Sequence, residues 1–215
     1  MKNSSTSSVV RNAVRHLLLI LLCAALAVPS AEAAGKKLKS YDREMLIQPF
    51  LGPGYAEWLI GPIARLVTRE EADEYLILSS DEEARAFIDE FWARRDTNGD
   101  VPGNPLRELY EERAAEADKQ FSEAQIRGRN TDRGTLYVLY GPPEEVDYDI
   151  AQWLDGPPLI LWKYGKDAEP GLNDEKPDRL YRLIRLEDLT VFYEERMRRD
   201  ALREQRVRPP RYPRN

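Results

Sequence analysis

Thr131-Asp132-Arg133-Gly134-Thr135-Leu136-Tyr137-Val138-Leu139-Tyr140-Gly141-Pro142-Pro143 separates two kinds of sequence in this chain. Thr135 to Tyr140 is an unbroken β-prone run halted by a glycine and two prolines, and it reads as a strand. Leu159-Ile160-Leu161-Trp162-Lys163-Tyr164, ended at Gly165, reads as a second strand. Leu180-Tyr181-Arg182-Leu183-Ile184-Arg185-Leu186 reads as a third, alternating apolar with basic or aromatic residues.

Upstream of Gly128 the grammar is helical. Thr68-Arg69-Glu70-Glu71 is a capping box that opens a short helix to about Leu78. Ser80-Asp81-Glu82-Glu83 is a second box, starting a helix to about Arg95. That helix places Ala84, Phe87, Ile88, Phe91 and Trp92 on one face, as core rather than as a ligand cage. Asn104 caps the next helix with Pro105 at its first position. Its apolar stripe is Leu106, Leu109, Tyr110, Ala114, Ala117 and Phe121, and the two helices should pack as an antiparallel pair.

Helices first and strands afterwards imply an α+β fold, with amphipathic helices on one face of a small antiparallel sheet. A C-terminal Arg-rich helix, from about Glu187 or residue 191 to Arg206, and a Pro-rich tail over 207–215 follow. The domain proper spans 58–190. Residues 34–57, interrupted by Pro49, Gly52, Pro53 and Gly54, read as an irregular arm.

The first 33 residues read as a secretory leader. Lys2, Arg11 and Arg15 precede the apolar run Leu17–Val28, and Ala31-Glu32-Ala33 places cleavage before Ala34. The run is short of the roughly 20 residues a spanning helix needs, so no membrane span is expected after cleavage. The leader also holds the chain's one histidine, His16, and one cysteine, Cys23. A processed protein therefore has neither imidazole nor thiol, which excludes disulfides, histidine triads, zinc sites and thiol nucleophiles.

Carboxylates are the acid–base groups left in quantity. The chain has 32 basic and 38 acidic residues, net −6. The leader takes away three of the former and one of the latter, so the processed chain is more acidic still. Such a protein is a poor general binder of nucleic acid. Asp96-Thr97-Asn98-Gly99-Asp100 begins like a calcium loop, but Val101 and Arg107 stand where Gly and Glu are needed, so no metal and no cofactor is expected.

Ile88-Asp89-Glu90-Phe91-Trp92-Ala93-Arg94-Arg95-Asp96 and Thr131 to Val146, taken together and in this order, resemble the GWxTD-domain proteins, exported bacterial proteins named for a Gly-Trp-x-Thr-Asp signature. The similarity runs from about Trp58 to Leu186. The signature here is Gly128-Arg129-Asn130-Thr131-Asp132, with Arg129 where the family has Trp. The resemblance implies an envelope location and a fold, not an activity.

The candidate recognition surface comprises Arg129, Asn130, Thr131, Asp132 and Arg133, together with Glu144 and Glu145 beyond the following run. The plainer reading of the first group is a turn: Thr131 or Asp132 bonds the next amides and Arg133 clamps a neighbouring loop. Glu144 and Glu145 fit the cap of a turn or helical piece. The function expected is an exported, non-catalytic binding or assembly module with an envelope protein partner. The alternative is a carboxylate-dependent hydrolase of envelope polysaccharide, using two of Glu144, Glu145, Asp147 and Asp149 beside Trp153 or Trp162. Docking of the Arg-rich C-terminus onto an anionic surface is a third reading.

Overall fold

The computed structural model describes residues 43–99 and 102–207. The leader, the arm up to residue 42, most of the tail and part of the calcium-like loop lie outside these residues. The α+β reading holds: six helices accompany one four-stranded antiparallel sheet. The helices are α1 (Pro53–Ala56), α2 (Arg69–Leu76), α3 (Asp81–Ala93), α4 (Pro105–Phe121), α5 (Asp132–Tyr140) and α6 (Glu195–Val207). The strands are β1 (Glu145–Asp149), β2 (Leu159–Lys163), β3 (Leu180–Leu186) and β4 (Leu189–Phe192), in spatial order 1-2-3-4.

Both expected helix starts are built from side-chain caps. Thr68 accepts from the Glu71 amide and Glu71 reaches back to the Thr68 amide, a complete box. At α3 the Ser80 hydroxyl accepts from the Glu83 amide, while Glu83 bonds Ser79 instead of closing on Ser80. Asn104 caps α4 through the Arg107 amide. The aromatic side chains then join elements. Trp58 packs on Tyr75, Phe87 and Phe91 at 4.8–5.9 Å between centroids, and Phe121 bridges Tyr137 and Trp162 at 5.5 Å each. Helices α3 and α4 meet at Trp92–Tyr110, but α4 packs most extensively along α5.

Glu71 does a second job. Its carboxylate takes Arg95 Nη2 at 2.6 Å and Arg94 at 3.4 Å, fastening α2 to α3. Burial pushes its pKa up, but the Arg95 hydrogen bond, the Thr68 amide and both guanidinium charges outweigh that, and the net shift is down. A depressed folded pKa contributes stability that is present above the ordinary value of 4.5 and is lost as pH falls through the folded value. Glu71→Gln is therefore expected to cost about 2 kcal/mol at pH 7 and to flatten the acid limb of the stability curve. Urea unfolding at several pH values checks this; an unchanged acid limb would refute it.

Three expectations are corrected. Thr135–Tyr140 is not a strand but most of helix α5. A short apolar run cannot be assigned by periodicity alone. Here Thr131, Gly134, Val138 and Gly141 are all buried, at helical spacing, so tertiary contact overrides the β propensity of Thr135 and Val138. Glu144 and Glu145 cap no helical piece: Glu145 opens β1, and the Glu144 amide donates to Lys163 O. The C-terminal helix starts at Glu195, because Glu187-Asp188 forms a tight turn with Glu187 at φ 53° and the chain returns as β4.

Candidate functional site

Around the signature loop, each residue is spent on holding the fold. Gly128 lies in a 3-10 turn (Gly128–Asn130) where a Cβ would collide with the Ala117 carbonyl of α4. Thr131 is buried; its hydroxyl donates to Gly128 O at 2.8 Å and accepts from the Gly134 amide at 3.1 Å, capping α5. Gly134 is the reciprocal surface, since a Cβ there would run into Gly128 O. Asp132 accepts from the Phe192 amide at 2.7 Å, tying the start of α5 to β4. Asn130 packs beneath Gly61.

Arg129 is held as firmly. Asp118 accepts from its backbone amide, from Nε and from Nη2, at 2.8–2.9 Å. Burial pulls the Arg129 pKa down, but the Asp118 bond and charge more than offset it. Tyr110 lies alongside, its phenol pushed up to about 12 by burial, with the Arg129 charge opposing. The recess shared by Arg129, Asn130, Trp58 and Tyr110 is about 60 Å³, room for water and little more. Arg129→Ala is expected to lower stability by about 1 kcal/mol, the upper end of the range for exposed pairs because this one is half-buried and bound through three donors. Chemical denaturation measures this; no loss at all would mean that Arg129 is retained for a contact outside the chain.

Sequence reading overlooked the residue that organises this region, Glu123. Its side chain is only 6% exposed. It accepts from Arg133 Nη2 (3.0 Å), Arg185 Nη1 (3.3 Å), the Thr190 amide (3.0 Å) and Thr190 Oγ1 (3.1 Å). Arg133 thus clamps the neighbouring loop, over the Phe121 ring at 5.3 Å. Ala124 and Gln125 after Glu123 take positive φ in a tight turn, and as neither is a residue type that favours that conformation, nothing in the sequence signals it.

The two halves of the expected surface sit at opposite ends of α5, roughly 13 Å apart for nine residues. The far end is equally fixed. Gly141, at φ 79°, donates to Tyr137 O and its carbonyl accepts from the Tyr164 hydroxyl. Arg113 donates to the Val138 and Leu139 carbonyls, a cation at the helix C-terminus. Beyond Pro142-Pro143 the character changes: β1 is exposed at all five positions. Glu145 and Asp147 pair with Lys163 at 3.1 and 3.0 Å. The Lys163 bond and the Tyr148 amide hold the Asp147 carboxyl below its usual range, the amide contributing most.

Val146 and Tyr148 lie opposite Trp162 and Ile160 in the ladder, on the sheet face that carries the helices. Trp162 is buried there against Phe121, yet Val146 is 48% and Tyr148 66% exposed. The helical layer stops short of β1. A cleft of about 530 Å³ opens nearby, lined among others by Asp149, Gln152, Arg182, Tyr193 and Glu195. Trp153 belongs to the β1–β2 loop, against Gly156.

No helix among the described residues is long and apolar enough to cross a membrane. No group of His, Cys, Asp or Glu among them is arranged to hold a metal ion. No curated protein and no solved structure matches this chain. The model of the GWxTD domain matches residues 46–169, from the first buried leucine of the core, Leu46, to the loop after β2. With more than half of its length matched, and with Arg129 in place of the family's Trp, the chain belongs to the GWxTD-domain family.

Proposed function

We propose that this protein is an exported, non-catalytic binding and assembly module of the bacterial cell envelope, which takes an extended segment of a protein partner at the edge of its sheet. The observation that carries the reading is the inequality of the two sheet edges. On β4 the Thr190 and Phe192 amides are taken by Glu123 and Asp132, so that edge is sealed from within the fold. On β1 no other element among the described residues packs on the edge: the Tyr148 and Ile150 amides meet only the side chains of the neighbouring exposed Asp147 and Asp149, beside Val146, Tyr148 and Ile150, the last 79% exposed. Exposed apolar edges template strand addition, a known mode of peptide recognition.

In this reading Glu144 and Glu145 form the rim of the docking edge. The Arg129–Arg133 loop acts indirectly, by fixing α5 and hence the rigid Pro142-Pro143 approach to β1. Export rests on the leader pattern of residues 1–33.

Two measurements test it. Mass analysis of the native polypeptide should find it beginning at Ala34; a chain retaining Met1 would remove the address. A photo-reactive amino acid at position 148 should give discrete protein adducts in the envelope, absent when it is placed at the exposed Glu82 and lost when Val146→Asp is added. Equal adducts at both positions would dismiss docking at β1.

A further inference from the structure

Building on the docking reading, we infer that β1 is selective for a strand alternating apolar with Lys or Arg side chains, because its own aspartates latch the edge shut against other strands. Alternation gives β1 two faces. Val146 and Tyr148 line one, with Ile150 just past the strand's end; Glu145, Asp147 and Asp149 line the other. The Tyr148 amide donates to Asp147 Oδ1 at 2.8 Å, and the Ile150 amide donates to Asp149 Oδ1 at 2.7 Å. The carboxylates therefore occupy edge donors that an incoming strand would need.

Charge decides which strand can take them. A residue directly opposite on an added strand stands about 4.5–5.5 Å away, where opposite charges attract and like charges repel. Asp147 Oδ2 already holds Lys163 while Oδ1 stays on the Tyr148 amide, so the cation of the added strand must take Oδ1 itself. A Lys or Arg that does so at Asp147 or Asp149 frees the N–H to donate to the incoming carbonyl. An acidic strand repels the carboxylates, and a neutral one leaves them on the amides.

A second copy of this chain is disfavoured by the same parity. Any register, parallel or antiparallel, that sets apolar against apolar also sets carboxylate against carboxylate. The edge thereby resists self-association, a hazard of apolar edges, while admitting a basic partner. The apolar residues of that partner would cover Val146, Tyr148 and Ile150, which the helices leave open.

The test uses the purified chain and labelled eight-residue peptides, followed by fluorescence anisotropy. Four probes are needed: alternating Val/Lys, alternating Val/Glu, alternating Val/Ser, and a block peptide with the Val/Lys composition. The Val/Lys peptide should bind at least about tenfold more tightly than each of the others, as two or three favourable cross-strand pairs allow. N-methylation of alternate Val/Lys amides should abolish binding, separating strand pairing from simple charge attraction. Asp147→Ala with Asp149→Ala should admit the Val/Ser peptide, and Asp147→Lys with Asp149→Lys should reverse the preference toward Val/Glu. Far-UV circular dichroism checks that each exposed-strand variant is folded.

Equal binding of the alternating and block peptides, or indifference to the aspartate changes, overturns the selectivity. If position-148 adducts form in the envelope but Val/Lys does not bind, the latch is wrong and the docking edge stands. If neither appears, both fall.

Discussion

Glu123→Ala is expected to lower the unfolding free energy by about 3 kcal/mol, the range for leaving one partner of a buried ion pair uncompensated. The substitution removes four hydrogen bonds at once. Arg133 suffers most. Its Nε is already buried with no hydrogen-bond partner, so Glu123 is the acceptor on which the guanidinium relies. The Thr190 amide, on a residue 1% exposed, loses its acceptor too. Arg185, half exposed, contributes little because water replaces its partner. Glu123→Gln, which keeps an acceptor oxygen and drops the charge, should cost clearly less. Urea denaturation followed by circular dichroism decides between them. Equal losses would show that shape rather than charge matters at this position, and a loss below about 1 kcal/mol would refute the hub.

Gly134→Ala is expected to be at least as damaging, about 3 kcal/mol or more, or to yield no folded protein. Helix propensity favours the alanine by up to about 1 kcal/mol, so the sign is set by space. The new methyl meets the backbone carbonyl of Gly128, which cannot rotate aside as a side chain can. Gly128→Ala should behave alike, against the Ala117 carbonyl. Gly54→Ala in α1, with nothing within 4 Å of its added Cβ, is the control and should leave stability unchanged or raise it, by up to about 1 kcal/mol. A stable, folded Gly134→Ala protein would show that the contact between the signature turn and α5 is looser than described.

These two sites explain why a family would be recognised by glycine, threonine and aspartate in this order. Gly128 permits contact with α4, Thr131 caps α5, and Asp132 reaches β4. The signature joins three elements, and its second position is half-buried against a half-buried partner. There Arg129 meets Asp118, 28% exposed. A partly exposed position can change residue type with less disturbance than the fully packed Gly128 and Thr131.

The helical half of the fold was legible because its signals are local. A threonine, serine or asparagine cap bonds an amide three residues away, and a heptad-like stripe lies within one helix, so adjacent residues carry the information. The α+β class followed from the order of such segments. The run Thr135–Tyr140 was misread because an apolar stretch buried on several sides has no period to report. What makes it helical is the close backbone approach at Gly128 and Gly134 and the caps at both ends. Conversely, β1 is too acidic to announce itself as a strand, and it is one only because β2 supplies the ladder.

By itself, the sequence determined the helix starts, the aromatic core, the leader pattern and the poverty in imidazole and thiol, all properties of residue type and short spacing. Only the tertiary structure decided that Glu123 is a hub, with Thr190 lying 67 positions along the chain from it. Only the fold left β1 open while β4 was sealed. Which edge is covered by another element depends on what packs beside it, and chain folding sets that through contacts between distant residues.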